Sequence, residues 1–82
     1  YPNPFSASTN ITYSLPVDVK VNISLFNQQG QMVRVIKDAV ENAGTHSIVF
    51  ESNGLEAGVY YYTLKTTGVN AINETKRMII TR

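Results

Sequence analysis

The stretch Leu55-Glu56-Ala57-Gly58-Val59-Tyr60-Tyr61-Tyr62-Thr63-Leu64 constrains the fold more than any other. It sets a turn centred on Gly58 directly before a run rich in aromatic and β-branched residues. Glycine lacks a Cβ, so the backbone there is free to take positive φ or to pass close to another segment. The residues that follow favour an extended strand. Strand alternation puts Tyr60, Tyr62 and Leu64 on one face and Val59, Tyr61 and Thr63 on the other. A large aromatic held just past a tight turn is a good centre for a small β core, and the other strands are expected to pack around it.

The rest of the sequence has to supply that core by apolar packing alone. Its 82 residues suffice for one domain and not for two. A domain of this size buries only roughly 60–65% of its unfolded surface. There is no cysteine, so neither a disulfide nor a thiolate metal site can staple it. No apolar run approaches the roughly 18–20 residues needed to span a bilayer. No signal-peptide pattern is present. Tyr1 in place of an initiator Met suggests a piece of a longer protein. The net charge is +1 with Lys and Arg scattered, which gives no electrostatic footprint for nucleic acid or an anionic membrane.

Along the chain, Tyr1-Pro2-Asn3-Pro4-Phe5 reads as a rigid lead-in, because each proline fixes its own φ and restricts the residue before it. Phe5 and Tyr1 are placed to cap one end of a core. Ser6 to Asn10 reads as a polar turn. Ile11 to Leu15 alternates as a half-buried strand, which Pro16 ends. Val19 to Phe26 is a second strand, with Val19, Val21, Ile23 and Leu25 on one face. Asn27-Gln28-Gln29-Gly30 is a hairpin turn. Gln31 to Lys37 returns as a third strand, with Val33 and Val35 opposite Met32, Arg34 and Ile36. Asp38 to Gly44 is a link in which Ala39 to Ala43 has room for one helical turn, too short for an independent helix.

Thr45 to Glu51 is a fourth strand, with His46, Ile48 and Phe50 on one face. Ser52-Asn53-Gly54 is a turn, with Leu55 an apolar plug beneath the loop. The Gly58–Thr66 strand follows. Thr67 to Asn73 is a loose hairpin loop, and Glu74 to Thr81 is the last strand, with Met78 and Ile80 on one face and Ile79 on the other. These six or seven short strands, with turn signals between them and no helical periodicity, read as an all-β, immunoglobulin-like antiparallel sandwich of about seven strands.

Catalysis has poor material here. His46 is the only histidine and shares a face with Ile48 and Phe50, so it reads as a structural or edge histidine. No serine sits in a nucleophile elbow. The six carboxylates form neither a glycosidase pair nor a calcium loop. There is no Gly-rich phosphate loop. No cofactor and no metal is expected, and the chain reads as no enzyme. The tyrosine triplet is no sugar platform, since adjacent tyrosines point to opposite faces; Tyr60 and Tyr62 read as core and Tyr61 as exposed. Asn10-Ile11-Thr12, Asn22-Ile23-Ser24 and Asn73-Glu74-Thr75 match the glycosylation sequon, and read as polar strand positions. Lys76-Arg77 reads as a solvated edge that discourages strand aggregation.

Taken in order, Tyr1 to Phe5, Ile11 to Pro16, Val21 to Val33, Ala43 to His46, Leu55 to Tyr62 and Thr75 to Ile80 form a distinctive set. Pro-Asn-Pro alone is only three residues; the order and spacing of all the segments carry the match. The whole chain resembles the type A C-terminal sorting domain of the type IX (Por) secretion system of Bacteroidetes and relatives. That family is itself similar to the immunoglobulin-like domain of flagellar hook-capping proteins. The resemblance implies a secretion signal at the C-terminus of a secreted enzyme or adhesin, the cargo domain preceding it in the chain. It implies recognition by outer-membrane translocon components after passage through the periplasm. It also implies removal by a sortase-like peptidase, and release of the cargo or attachment to the cell surface.

Carried onto this chain, the matched positions are Pro2, Asn3 and Pro4, then Gly58 and Tyr60 of Gly-x-Tyr, then Lys76, Arg77, Met78, Ile79 and Ile80. Pro2, Pro4, Gly58 and Tyr60 are expected to serve the fold. The last strand is the better candidate for readout, as an edge strand that adds to a partner's sheet; otherwise Lys76 and Ile79 only complete the sandwich. The Thr67–Asn73 loop is longer than the hairpin usual in the family, which leaves the register of the last strand open. Two other functions suit such a sandwich. One is a carbohydrate-binding or adhesive accessory module with Tyr61 and Tyr13 as its aromatic platform. The other is a plain spacer packed on its parent protein.

Overall fold

A computed structural model of the chain describes the backbone of residues 4 and 5 and all of residues 7–81. The expectations placed on Tyr1, Pro2, Asn3 and Ser6, and on the side chains of Pro4 and Phe5, lie outside the described residues. Seven strands follow one another: β1 (Pro4–Phe5), β2 (Ser8–Leu15), β3 (Val19–Phe26), β4 (Met32–Glu41), β5 (Gly44–Glu51), β6 (Gly58–Thr66) and β7 (Asn73–Ile80). They form a five-stranded sheet in the order β1-β7-β6-β3-β4 and a two-stranded sheet of β2 and β5. All pairs are antiparallel except β1 with β7, which run parallel. The expected sandwich is therefore present, with one parallel pair at the edge where a rigid lead-in was expected.

The core lies between the sheets and follows the alternation of their strands. It takes Ile11, Tyr13 and Leu15 from β2, Val21, Ile23 and Leu25 from β3, and Phe50 from β5. Tyr60 and Leu64 come from β6, and Met78 and Ile80 from β7. Val21 and Leu25 are wholly buried, as expected of central positions on a strand with neighbours on both sides. Leu55 and Ile72 pack on this core from their loops, so Leu55 is the expected plug. Ile79 points to the opposite face from Met78 and Ile80, as the period of two requires.

The turns carry their own logic. Asn27 Oδ1 accepts from the amides of Gln29 and Gln31 at 3.0 and 2.9 Å, and Gly30 takes φ +84. This is an Asx turn closed by the residue best able to adopt that φ. Leu55 N donates to Ser52 O at 3.0 Å across Asn53-Gly54, with Gly54 at φ +80, as a type II turn demands.

Two sequence expectations are corrected. Ser6 to Asn10 is not all turn: β2 begins at Ser8, because Ser8, Thr9 and Asn10 pair with Glu51, Phe50 and Val49. Ala39 to Ala43 holds no helical turn: β4 continues to Glu41 because it pairs with β3 as far as Val19. Sheet pairing outweighs the weak helical preference of so short a segment. The alternation on β4 is also broken. Ile23 pairs with Lys37 but Ser24 pairs with Val35, so Ile36 is an extra residue; Val33 is another, between Arg34 and Met32. Such bulges shift the phase of the side chains. Before Ile36 the half-buried position is Arg34; after it they are Lys37, Ala39 and Glu41.

Candidate recognition surface

β7 carries five of the ten matched positions, and its surroundings divide it in two. Its C-terminal half sits between β6 and β1: Ile79 and Ile80 pair with Val59 and Gly58 on one side and with Pro4 and Phe5 on the other. Its N-terminal half, Asn73 to Met78, pairs with β6 alone among the described residues. β7 is thus an edge strand only over this half.

From Asn73 to Arg77 both faces of that half are solvated, and geometry gives the reason. Two strands cannot cover the inner face of five, so the small sheet leaves the β7 side open. A cleft of about 300 Å³ results. It is lined by Ile11 and Tyr13 of β2, by Ile23, Tyr62 and Leu64 of the large sheet, and by Ile72, with the exposed Glu74 and Lys76 beside them. Glu74 also acts on the hydroxyl of Tyr62: burial first, then the nearby carboxylate, push its pKa up. The free edge of β7 and an apolar cleft therefore meet at one place.

The basic pair Lys76-Arg77 does not act as one patch. Lys76 pairs with Tyr62 on the inner face, whereas Arg77 pairs with Tyr61 on the outer face. On that outer face Tyr61 is flanked by Arg77 and Phe26 and is half-buried rather than exposed. Tyr13 is 6% exposed and belongs to the other sheet, so Tyr61 and Tyr13 share no platform. The Asn22 sequon is internal, with Ser24 buried and donating to Asn22 Oδ1 at 2.7 Å.

The fold-bearing positions of the motif are placed by packing. Tyr60 is 7% exposed, and its hydroxyl donates to Glu56 O at 2.7 Å, so the ring fills the core while its polar end closes the turn before it. Gly58 has φ +152, and a Cβ there would meet nothing within 4 Å. Its requirement is conformational, not a matter of space. His46 stacks on Tyr13 at 5.4 Å between centroids, and its Nε2 lies 2.7 Å from Asn42 O. It is a structural histidine in a strand. Among the described residues no cluster of His, Cys, Asp or Glu could hold a metal ion, and no helix is long and apolar enough to cross a membrane.

The family model of the secretion system C-terminal sorting domain matches residues 1–81. The chain belongs to that family. No curated protein and no solved structure matches it. Membership makes this sorting domain a C-terminal signal for type IX secretion, which directs the protein that carries it to the cell surface or the extracellular space. What sequence reasoning missed in the sorting domain is the cleft. It depends on how many strands each sheet holds, and no local pattern reports that.

Proposed function

We propose that residues 1–82 form a single, non-catalytic sorting domain at the end of a longer secreted protein, read by type IX translocon components through the free half of β7. Among the described residues the backbone from Asn73 to Met78 pairs with β6 alone, and such an edge suits addition of an extended segment from a partner, by main-chain hydrogen bonds. The cleft beside them takes apolar side chains from that segment, and Lys76 and Glu74 set its register and selectivity. Gly58 and Tyr60 hold the shape; Met78 and Ile80 anchor the strand from within, and Ile79 fixes it against β1. A sortase-like peptidase then removes the domain, and the cargo is released or attached to the surface. The observation that carries this reading is the coincidence of the family's terminal motif with a half-paired edge over an apolar cleft.

Fusion of residues 1–82 to a periplasmic reporter, in a host with this secretion system, is expected to export the reporter. Removal of residues 74–82 abolishes export, but it also takes Met78 and Ile80 from the core. Lys76→Glu with Arg77→Glu separates the two effects, because both side chains are exposed. The double variant is expected to keep its thermal midpoint and lose most export. Wild-type export by that variant would remove the readout role from β7.

A further inference from the structure

We propose that Glu41 is an acid-released clasp: its carboxylate ties the two-stranded sheet to β4, and protonation frees that end of the sandwich while the other end stays closed. Glu41 is the last residue of β4, and its side chain is 13% exposed. Three groups from three strands converge on it. The Tyr13 hydroxyl of β2 donates to Oε1. Lys37 Nζ of β4 lies 3.2 Å from Oε2. His46 Nδ1 of β5 lies 3.9 Å from Oε2. Tyr13 and His46 are direct cross-strand partners with stacked rings, so the carboxylate holds β2 directly through Tyr13 and β5 through the ring stacked on it. From β3 the facing residue is Val19, which is uncharged. Asp18, in the turn before it, accepts from Ala43 N at 2.8 Å and holds the corner that follows Glu41. The remaining nearby charges, Lys20 and Asp38, pair with each other at 3.9 Å on the solvated side.

The β4 bulge makes the arrangement possible. Arg34 and Glu41 are seven residues apart, and strict alternation would put them on opposite faces. The extra residue at Ile36 brings both to the inner face. Arg34 closes the far end of the sandwich, with Nη1 donating to Glu51 O at 2.7 Å and Nη2 to Asn53 O at 2.5 Å, its guanidinium 5.4 Å from the Phe50 ring centroid. Arginine does not titrate in the range of interest. One end is therefore held by a fixed cation and the other by a titratable anion.

His46 faces the clasp from β5. Asn42 O only accepts, so His46 Nε2 carries the proton of that 2.7 Å contact. The neutral ring then turns a bare Nδ1 towards Glu41, and the protonated ring turns a donor towards it. Protonation of Glu41 releases the clasp, because the Tyr13 hydroxyl and Lys37 then lose their charged partner. The Tyr13 hydrogen bond, with Lys37 and His46, holds the Glu41 carboxyl below its ordinary range against the opposing effect of burial. Its contribution is present above the unfolded carboxylate range and is lost as pH falls through the lowered folded value.

Amide hydrogen exchange on the whole 82-residue chain, corrected for the intrinsic effect of pH, tests this. On acidification through the carboxylate range, protection at Tyr13 and His46, a directly opposed pair in the ladder, is expected to fall about tenfold or more, as loss of a bond to a charged group implies. Protection at Thr9 and Phe50, near the Arg34 end, is expected to hold. Glu41→Gln is expected to show the low protection already at neutral pH, with no further acid response. Tyr13→Phe keeps the ring in the core and is expected to fall between the two, which preserves the test if Glu41→Gln does not fold. Uniform loss at both ends, or a wild-type acid response in these variants, overturns the proposal.

Discussion

At the scale of single residues, Tyr60 joins the core to the turn before its strand. Its ring lies in the core, and its hydroxyl satisfies the carbonyl of Glu56 in the turn before it. Tyr60→Ala is expected to cost about 3–5 kcal/mol, as large aromatic truncations do. Tyr60→Phe keeps the ring and loses one hydrogen bond, at about 1 kcal/mol. Urea midpoints of the two variants check the ratio. Gly58→Ala has room for its methyl group but not the backbone angle, and is expected to cost about 1–3 kcal/mol. A midpoint equal to wild type would show that the backbone relaxes there. Tyr60, Met78 and Ile80 were legible as core because a period of two is a local property of a strand. Tyr61 was misjudged as exposed because its half-burial comes from Phe26 and Arg77 on neighbouring strands, which alternation within one strand does not report.

At the scale of elements, the β3–β4 hairpin shows both what a sequence states and what it withholds. Asn27-Gln28-Gln29-Gly30 specifies its own turn through the Asn27 side chain and the positive φ of Gly30. Asn27→Ala removes the acceptor of two backbone amides and is expected to destabilise by about 1 kcal/mol, measured by denaturant unfolding. The bulges at Ile36 and Val33 left no such mark. They appear only once β4 is laid against β3, and they decide that Lys37 and Glu41, not Asp38 and Val40, face inward. The end of β4 was read as a loop for the same reason: its extended form is imposed by pairing with Val19 to Ile23, a tertiary demand. The parallel pairing of β1 with β7 is likewise invisible locally, since it joins residues 4 and 79.

At the scale of the whole molecule, the sandwich has unequal sheets, and the inequality opens the cleft beside the stretch of β7 that pairs with β6 alone among the described residues. Fold class was legible because most segments between turns alternate, β4 with its bulges being the exception; the candidate surface was legible only as a strand, and the cleft was not. On the proposed reading the sorting domain is recognised as a folded shape, so export should depend on its being folded. A small domain has only about 5–15 kcal/mol of stability in all, so Tyr60→Ala takes away a large share of it. The most direct test is reporter export measured beside the folded fraction of the tail, for wild type, Tyr60→Phe and Tyr60→Ala. Export is expected to follow the folded fraction: near wild type for Tyr60→Phe and close to background for Tyr60→Ala. Full export of a reporter whose Tyr60→Ala tail is unfolded would show that a linear peptide, not this sandwich, is the signal.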